Sequence, residues 1–148
     1  ITYPGYNKTM SFLDRIAEKS QFIAPYVLRF GLAIVFLLFG FHKLRAHGSQ
    51  GAAEVQLLFH LGLGTAAAIN YYVSLLEVAI GIFLVTGWKV RLAGLIASGM
   101  TFFIFASYFI QKGFSISPDL YRDLGLSAMG LAIFLIGNGK KEAAIPQQ

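Results

Sequence analysis

Residues 68–111 read AINYYVSLLEVAIGIFLVTGWKVRLAGLIASGMTFFIFASYFIQ. Two apolar runs, 68–88 and 91–111, are broken only around Gly87-Trp88-Lys89. A run of about 20 residues rises about 30 Å as a helix, the thickness of a bilayer's hydrocarbon core. Lipid offers no hydrogen-bond partners to a free backbone, so helices are the expected spanning form. The connection between the runs is so short that they are expected to form a tight antiparallel hairpin. Trp88 beside Lys89 is the residue pair expected where a span meets the membrane interface.

Two similar runs flank this pair. One covers 25–44 and starts at Pro25, which a first helical turn tolerates. The other covers 119–138 and ends before Lys140-Lys141. Composition points the same way. A soluble domain carries about a quarter charged residues. This chain of 148 residues carries 13%, against 56% hydrophobic, with 14 Phe and 16 Gly. Mean hydropathy is +0.64 and the pI is near 9.6. The net charge of +5 sits mostly at the ends of the apolar runs. Anionic lipid headgroups are therefore its expected counterpart, and no nucleic-acid partner is expected. The chain has no cysteine. It therefore contributes no disulfide, thiolate metal ligand, iron–sulfur ligand or thiol nucleophile.

The fold class expected is all-α. It is an integral membrane four-helix bundle with a short N-terminal interfacial helix and an amphipathic segment between the first two spans. The interfacial helix is SFLDRIAEKS (11–20), with Phe12, Leu13, Ile16 and Ala17 on one side and a capping pattern from Ser11 to Asp14. The amphipathic segment is AAEVQLLFHL (52–61), with Val55, Leu58 and Phe59 apolar, expected to lie along the membrane surface. It follows a flexible AHGSQG turn (46–51), and KGFSISP (112–118) links the last two spans. The first 20 residues hold no apolar core of signal-peptide type. The chain divides into a lead with interfacial helix (1–24), a transmembrane domain (25–139) and a tail (140–148). With the N-terminus inside, seven basic loop residues lie inside and three outside, which favours N-in, C-in and a cytoplasmic tail.

Steps of three and four residues keep side chains on one helical stripe. Arg29, Ala33, Phe36, Gly40 and Lys43 share such a stripe, as do Asn70, Ser74, Glu77 and Gly81. Arg91, Gly94, Ser98, Thr101, Phe105, Tyr108 and Lys112 form a third, and Asp123, Ser127, Gly130 and Gly137 a fourth. The small and polar members are expected to face inward. Gly40, Gly81, Gly94, Ser98 and Gly130 are the candidate packing positions, since small residues let helices approach closely. Arg29, Lys43, Glu77, Arg122 and Asp123 are the candidate intramembrane polar site.

Glu77 lies eleven residues before Trp88, about 16 Å along a helix and close to the bilayer midplane. A charge there costs at least about 2.5–3.5 kcal/mol on insertion scales. Two readings stand side by side. One is a carboxylate that handles protons or contacts a ligand. The other is a structural ion pair with an inward cation, Lys43 and Arg122 being the leading candidates. Arg122-Asp123 opens the fourth run, where Asp suits a helix N-terminus. His42, His47 and His60 lie outside the midplane without helical ligand spacing, so neither haem nor metal is expected from this chain alone.

Three stretches, VLRFGLAIVFLLFGFHKL (27–44), LLEVAIGIFLVTGWKVRLAGL (75–95) and YRDLGLSAMGLAIFLIGNG (121–139), resemble the DoxX-like family of small membrane proteins. The matching positions are Arg29, Gly40, Lys43, Glu77, Gly81, Gly87, Arg91, Arg122 and Asp123. The resemblance implies a four-helix membrane bundle in a bacterial or archaeal plasma membrane. It also implies association with a redox or quinone-linked membrane complex, because the family includes a subunit of an archaeal thiosulfate:quinone oxidoreductase. Quinone is thus the candidate cofactor, and other membrane protein subunits are the expected partners beside the lipid bilayer. The alternative is a noncatalytic accessory subunit that packs against a larger membrane assembly. No catalytic residue is assigned.

Overall fold

The computed structural model describes residues 12–45, 53–113 and 118–137. The polar lead with Ser11, the AHGSQG turn, residues 114–117 and the tail lie outside the described residues, as does His47. All regular elements among the described residues are helical: α1 (Phe12–Ser20), α2 (Ala24–Arg45), α3 (Ala53–His60), α4 (Ala66–Thr86), α5 (Val90–Lys112) and α6 (Pro118–Ile136). A 3-10 turn, Gln21–Ile23, joins α1 to α2.

Three helical stretches among the described residues are long and apolar enough to cross a membrane: Asp14–Arg45, Ala66–Thr86 and Val90–Lys112. α6 completes the bundle. Its 19 residues rise about 28 Å, and it differs in carrying Arg122 and Asp123 in its N-terminal half. The expected spans coincide with α2, α4, α5 and α6 to within about two residues at each end. Large apolar side chains cover the outside, among them Leu38, Ile110 and Leu135. That surface fits hydrocarbon and not water. Phe12 and Ile16 on α1 are exposed in the same way. α3 is eight residues long, too short to span, and it buries Val55 and Leu57 against the bundle while Phe59 and His60 stay exposed.

The helix ends follow from their residues. Thr65 caps α4, its hydroxyl accepting from the Ala68 amide at 3.3 Å. Gly87 ends α4 in the left-handed region at φ 78°, where a side chain would be strained. Lys89 follows at φ 51° without that freedom, so the turn into α5 stores strain.

The closest pairings are α2 with α4 and α5 with α6. α4 and α5, joined by the three-residue turn, meet over less of their length. The expected tight hairpin is therefore tight in chain but not in packing. Glycine decides this. A Cβ on Gly94 would lie 2.8 Å from the Gly130 carbonyl oxygen, and one on Gly130 2.8 Å from both the Gly94 carbonyl oxygen and the Ser98 amide. α5 and α6 thus touch backbone to backbone. Gly40 does the same for α2 against Ser74 and Val78, while Gly81 receives Leu37.

Candidate functional site

The buried interior differs along the bundle axis. In the half nearest Gly87, an apolar core holds Leu32, Ala33, Phe36, Ile80, Leu84, Val90, Ala93, Ala97 and Ile133. In the other half, the buried set includes Lys43, Asn70, Ser74, Glu77, Thr101 and Asp123. Each spanning helix contributes to both halves, and in the polar half a second, smaller apolar cluster of Ile104 and Leu120 packs α5 against α6 beside the polar set.

Lys43 organises the polar half. It sits three residues after Gly40, on the same face of α2. The missing side chain at Gly40 lets that face approach α4, with a Cβ there falling 2.7 Å from Val78 Cγ2. Lys43 Nζ then donates to Glu77 Oε1 at 2.6 Å and to Glu54 Oε1 of α3. The backbone is held as well. Asn70 Nδ2 donates to the Lys43 carbonyl at 3.3 Å, satisfying a C-terminal carbonyl of α2, and Ser74 Oγ donates to the Asn70 carbonyl at 2.5 Å. Side-chain exposure is 8% for Lys43 and 7% for Glu77. Two charges so enclosed lose most of their hydration, and the ion pair must offset that cost. One oxygen of the site stays unmatched: Glu77 Oε2 is buried without a hydrogen-bond partner.

Across the bundle, Arg122 Nη2 donates to Asp123 Oδ1 at 3.3 Å, with its guanidinium 4.6 Å from the centre of the Phe39 ring. Asp123 lies within electrostatic range of both Glu77 and Lys43, and Tyr108 within range of Glu54. Nearer the middle, the Ser98 and Ser127 hydroxyls meet at 3.2 Å, tying α5 to α6.

The five residues expected to form one polar site divide into two places. Lys43 and Glu77 are in contact, with Asp123 close by. Arg122 reaches Asp123 and not Glu77. Arg29 lies elsewhere, because fourteen residues of α2 separate it from Lys43, about 21 Å of rise. Its guanidinium stands beside Gly87 at the end of α4, with Tyr26 and Phe30 at 5.1 and 5.0 Å. A cation there faces the negative end of the α4 dipole. Arg91 stands likewise beside Gly137, past the end of α6. Glu54 is the member that sequence reasoning missed. In an eight-residue amphipathic segment a glutamate reads as a solvated position, and only the docking of α3 turns it inward.

A family model described as DoxX matches residues 24–114, a stretch that contains Lys43, Glu54 and Glu77 and stops before Asp123. No curated protein and no solved structure gives a significant match.

Proposed function

The chain belongs to the DoxX family, and on that premise we propose that this multi-pass membrane protein is an accessory subunit of a redox or quinone-linked membrane complex. The observation that carries the reading is the Lys43–Glu77 pair, buried within helices that cross the bilayer. Ionisable residues at that depth are costly, and an intramembrane ionisable residue is by default a candidate functional position. The chain has no cysteine to ligate an iron–sulfur cluster. It would therefore serve the redox chemistry of a partner, through the polar half of its interior and its apolar outer face. Quinone is the cofactor that the family resemblance suggests, and the Glu77 side of the bundle is where its head group would be met. In this reading the protein sits in a bacterial or archaeal plasma membrane with both termini inside.

The test is affinity purification of the tagged chain from its native membranes in mild detergent, followed by mass spectrometry of proteins and extracted lipids. A stoichiometric flavin, haem, molybdopterin or iron–sulfur subunit is the expected result. Recovery of the chain alone, from membranes whose quinone-linked activities do not change when it is deleted, would overturn the proposal.

A further inference from the structure

We propose that the polar half of the bundle binds one exchangeable positive charge, a proton or an alkali cation, which enters from the α3 face and settles against Glu77 Oε2. The inference goes beyond the partner reading and does not depend on it.

Three observations converge. The first is a charge imbalance. Lys43 is 8% exposed, and the carboxylates of Glu77, Asp123 and Glu54 are 7%, 13% and 16% exposed. One enclosed cation thus faces three enclosed carboxylates. Arg122, engaged with Asp123, is 45% exposed and does not belong to the enclosed set. At this level α4 adds Asn70 and Ser74, and α5 adds Thr101, Tyr108 and Lys112, whose ammonium stands 5.6 Å from the centre of the Tyr108 ring but is exposed and, like Arg122, outside the enclosed set. A surplus of negative charge away from water is unfavourable until a positive charge joins it.

The second observation is the unmatched acceptor. Glu77 is 6% exposed, and its Oε1 takes an ammonium hydrogen while Oε2 receives none. Oε2 is thus an acceptor held in place by a salt bridge, beside the imbalance that it would relieve. The third is direction. From Glu77 toward Gly87 the interior is closed by the apolar core around Leu84, Leu32 and Ile133. From Glu77 the other way, polar side chains continue through Lys43 to Glu54, the most exposed of the three carboxylates. A charged species can reach Oε2 by that route without crossing hydrocarbon. The arrangement is an inlet closed at one end, suited to loading a charge from one side of the membrane and unsuited to passing it across.

The test uses the whole chain purified into lipid nanodiscs. Its thermal midpoint is followed while sodium replaces N-methylglucamine at constant pH and ionic strength. Infrared spectra at neutral pH report any protonated carboxylic acid. An alkali site gives a midpoint that rises with the logarithm of sodium concentration, with the rise lost in Glu77→Gln. A proton site gives no sodium response but a carboxylic acid band that is lost in Glu77→Gln. Both measurements on the wild-type chain stand even if that variant fails to fold, and Asp123→Asn, which removes one of the two surplus negative charges, should then weaken the response. A chain with neither sodium response nor carboxylic acid band overturns the proposal. So does labelling of Leu84→Cys by a membrane-impermeant thiol reagent as fast as Glu54→Cys at the mouth of the route, since the inlet would then be open at both ends.

Discussion

Lys43 and Glu77, thirty-four residues apart in sequence, meet at 2.6 Å inside the bundle, and Lys43 reaches Glu54 with the same ammonium group. One cation therefore holds three helices: α2, which carries it, and α3 and α4, which supply the carboxylates. The consequences of removing each partner are unequal, because the penalty follows the charge that is left behind.

Lys43→Met should be the most damaging change in the cluster. It strands two carboxylates, and breaking a buried pair costs about 3–5 kcal/mol. Glu77→Gln and Glu54→Gln each leave Lys43 with one partner and should cost less. The triple change Lys43→Met, Glu54→Gln, Glu77→Gln should recover part of the loss. Unfolding in mixed micelles, followed by circular dichroism, orders the four variants.

The α5–α6 crossing should tolerate no added carbon. Gly94→Ala and Gly130→Ala each place a Cβ 2.8 Å from backbone atoms of the other helix, and overpacking of this kind costs about 1–3 kcal/mol. Gly99→Ala and Gly125→Ala meet nothing within 4 Å and should be neutral or stabilising, by up to about 1 kcal/mol from helix propensity. Gly81→Ala should fall between, since Leu37, its nearest neighbour, is a side chain that can turn aside. Thermal melts of the five variants in one detergent give the comparison.

α3 should be held to the bundle by Glu54 together with Val55 and Leu57. Glu54→Gln combined with Val55→Ala is expected to free it. Hydrogen exchange of residues 53–60 should then accelerate at least tenfold while α4 and α5 keep their protection. Unchanged exchange would mean that other contacts seat this helix.

Orientation is open to direct measurement because the chain has no cysteine of its own. Single cysteines at Lys8, Lys89 and Lys141 should react with an impermeant reagent only from the cytoplasmic side, and those at His47 and Ser115 only from the opposite side. The reverse pattern would invert the bundle and turn the α3 face toward the cytoplasm.

Much of this arrangement can be read from the chain. The spans are visible because each is a predominantly apolar run of about 20 residues, and lipid leaves helices as the only solution. The meeting of Lys43 with Glu77 is visible because both stand on inward stripes and a lone charge at that depth is costly. Two features are not local and could not be read that way. Glu54 turns inward only because α3 folds back on the bundle. The preference of α4 for α2 over its chain neighbour α5 depends on where glycines meet across helices, a tertiary match that a short turn conceals.

The most direct test of the central claim, that the buried pair serves the chemistry of a partner complex, is the quinone-linked electron-transfer rate of native membranes carrying wild-type chain or Glu77→Gln. Both are compared at equal amounts of chain, with partner recovery measured in parallel. The account predicts that Glu77→Gln remains in the membrane and retains its partner while the rate falls at least tenfold. An unchanged rate with the variant fully assembled would contradict it, and Glu77 would then be a structural ion-pair residue alone.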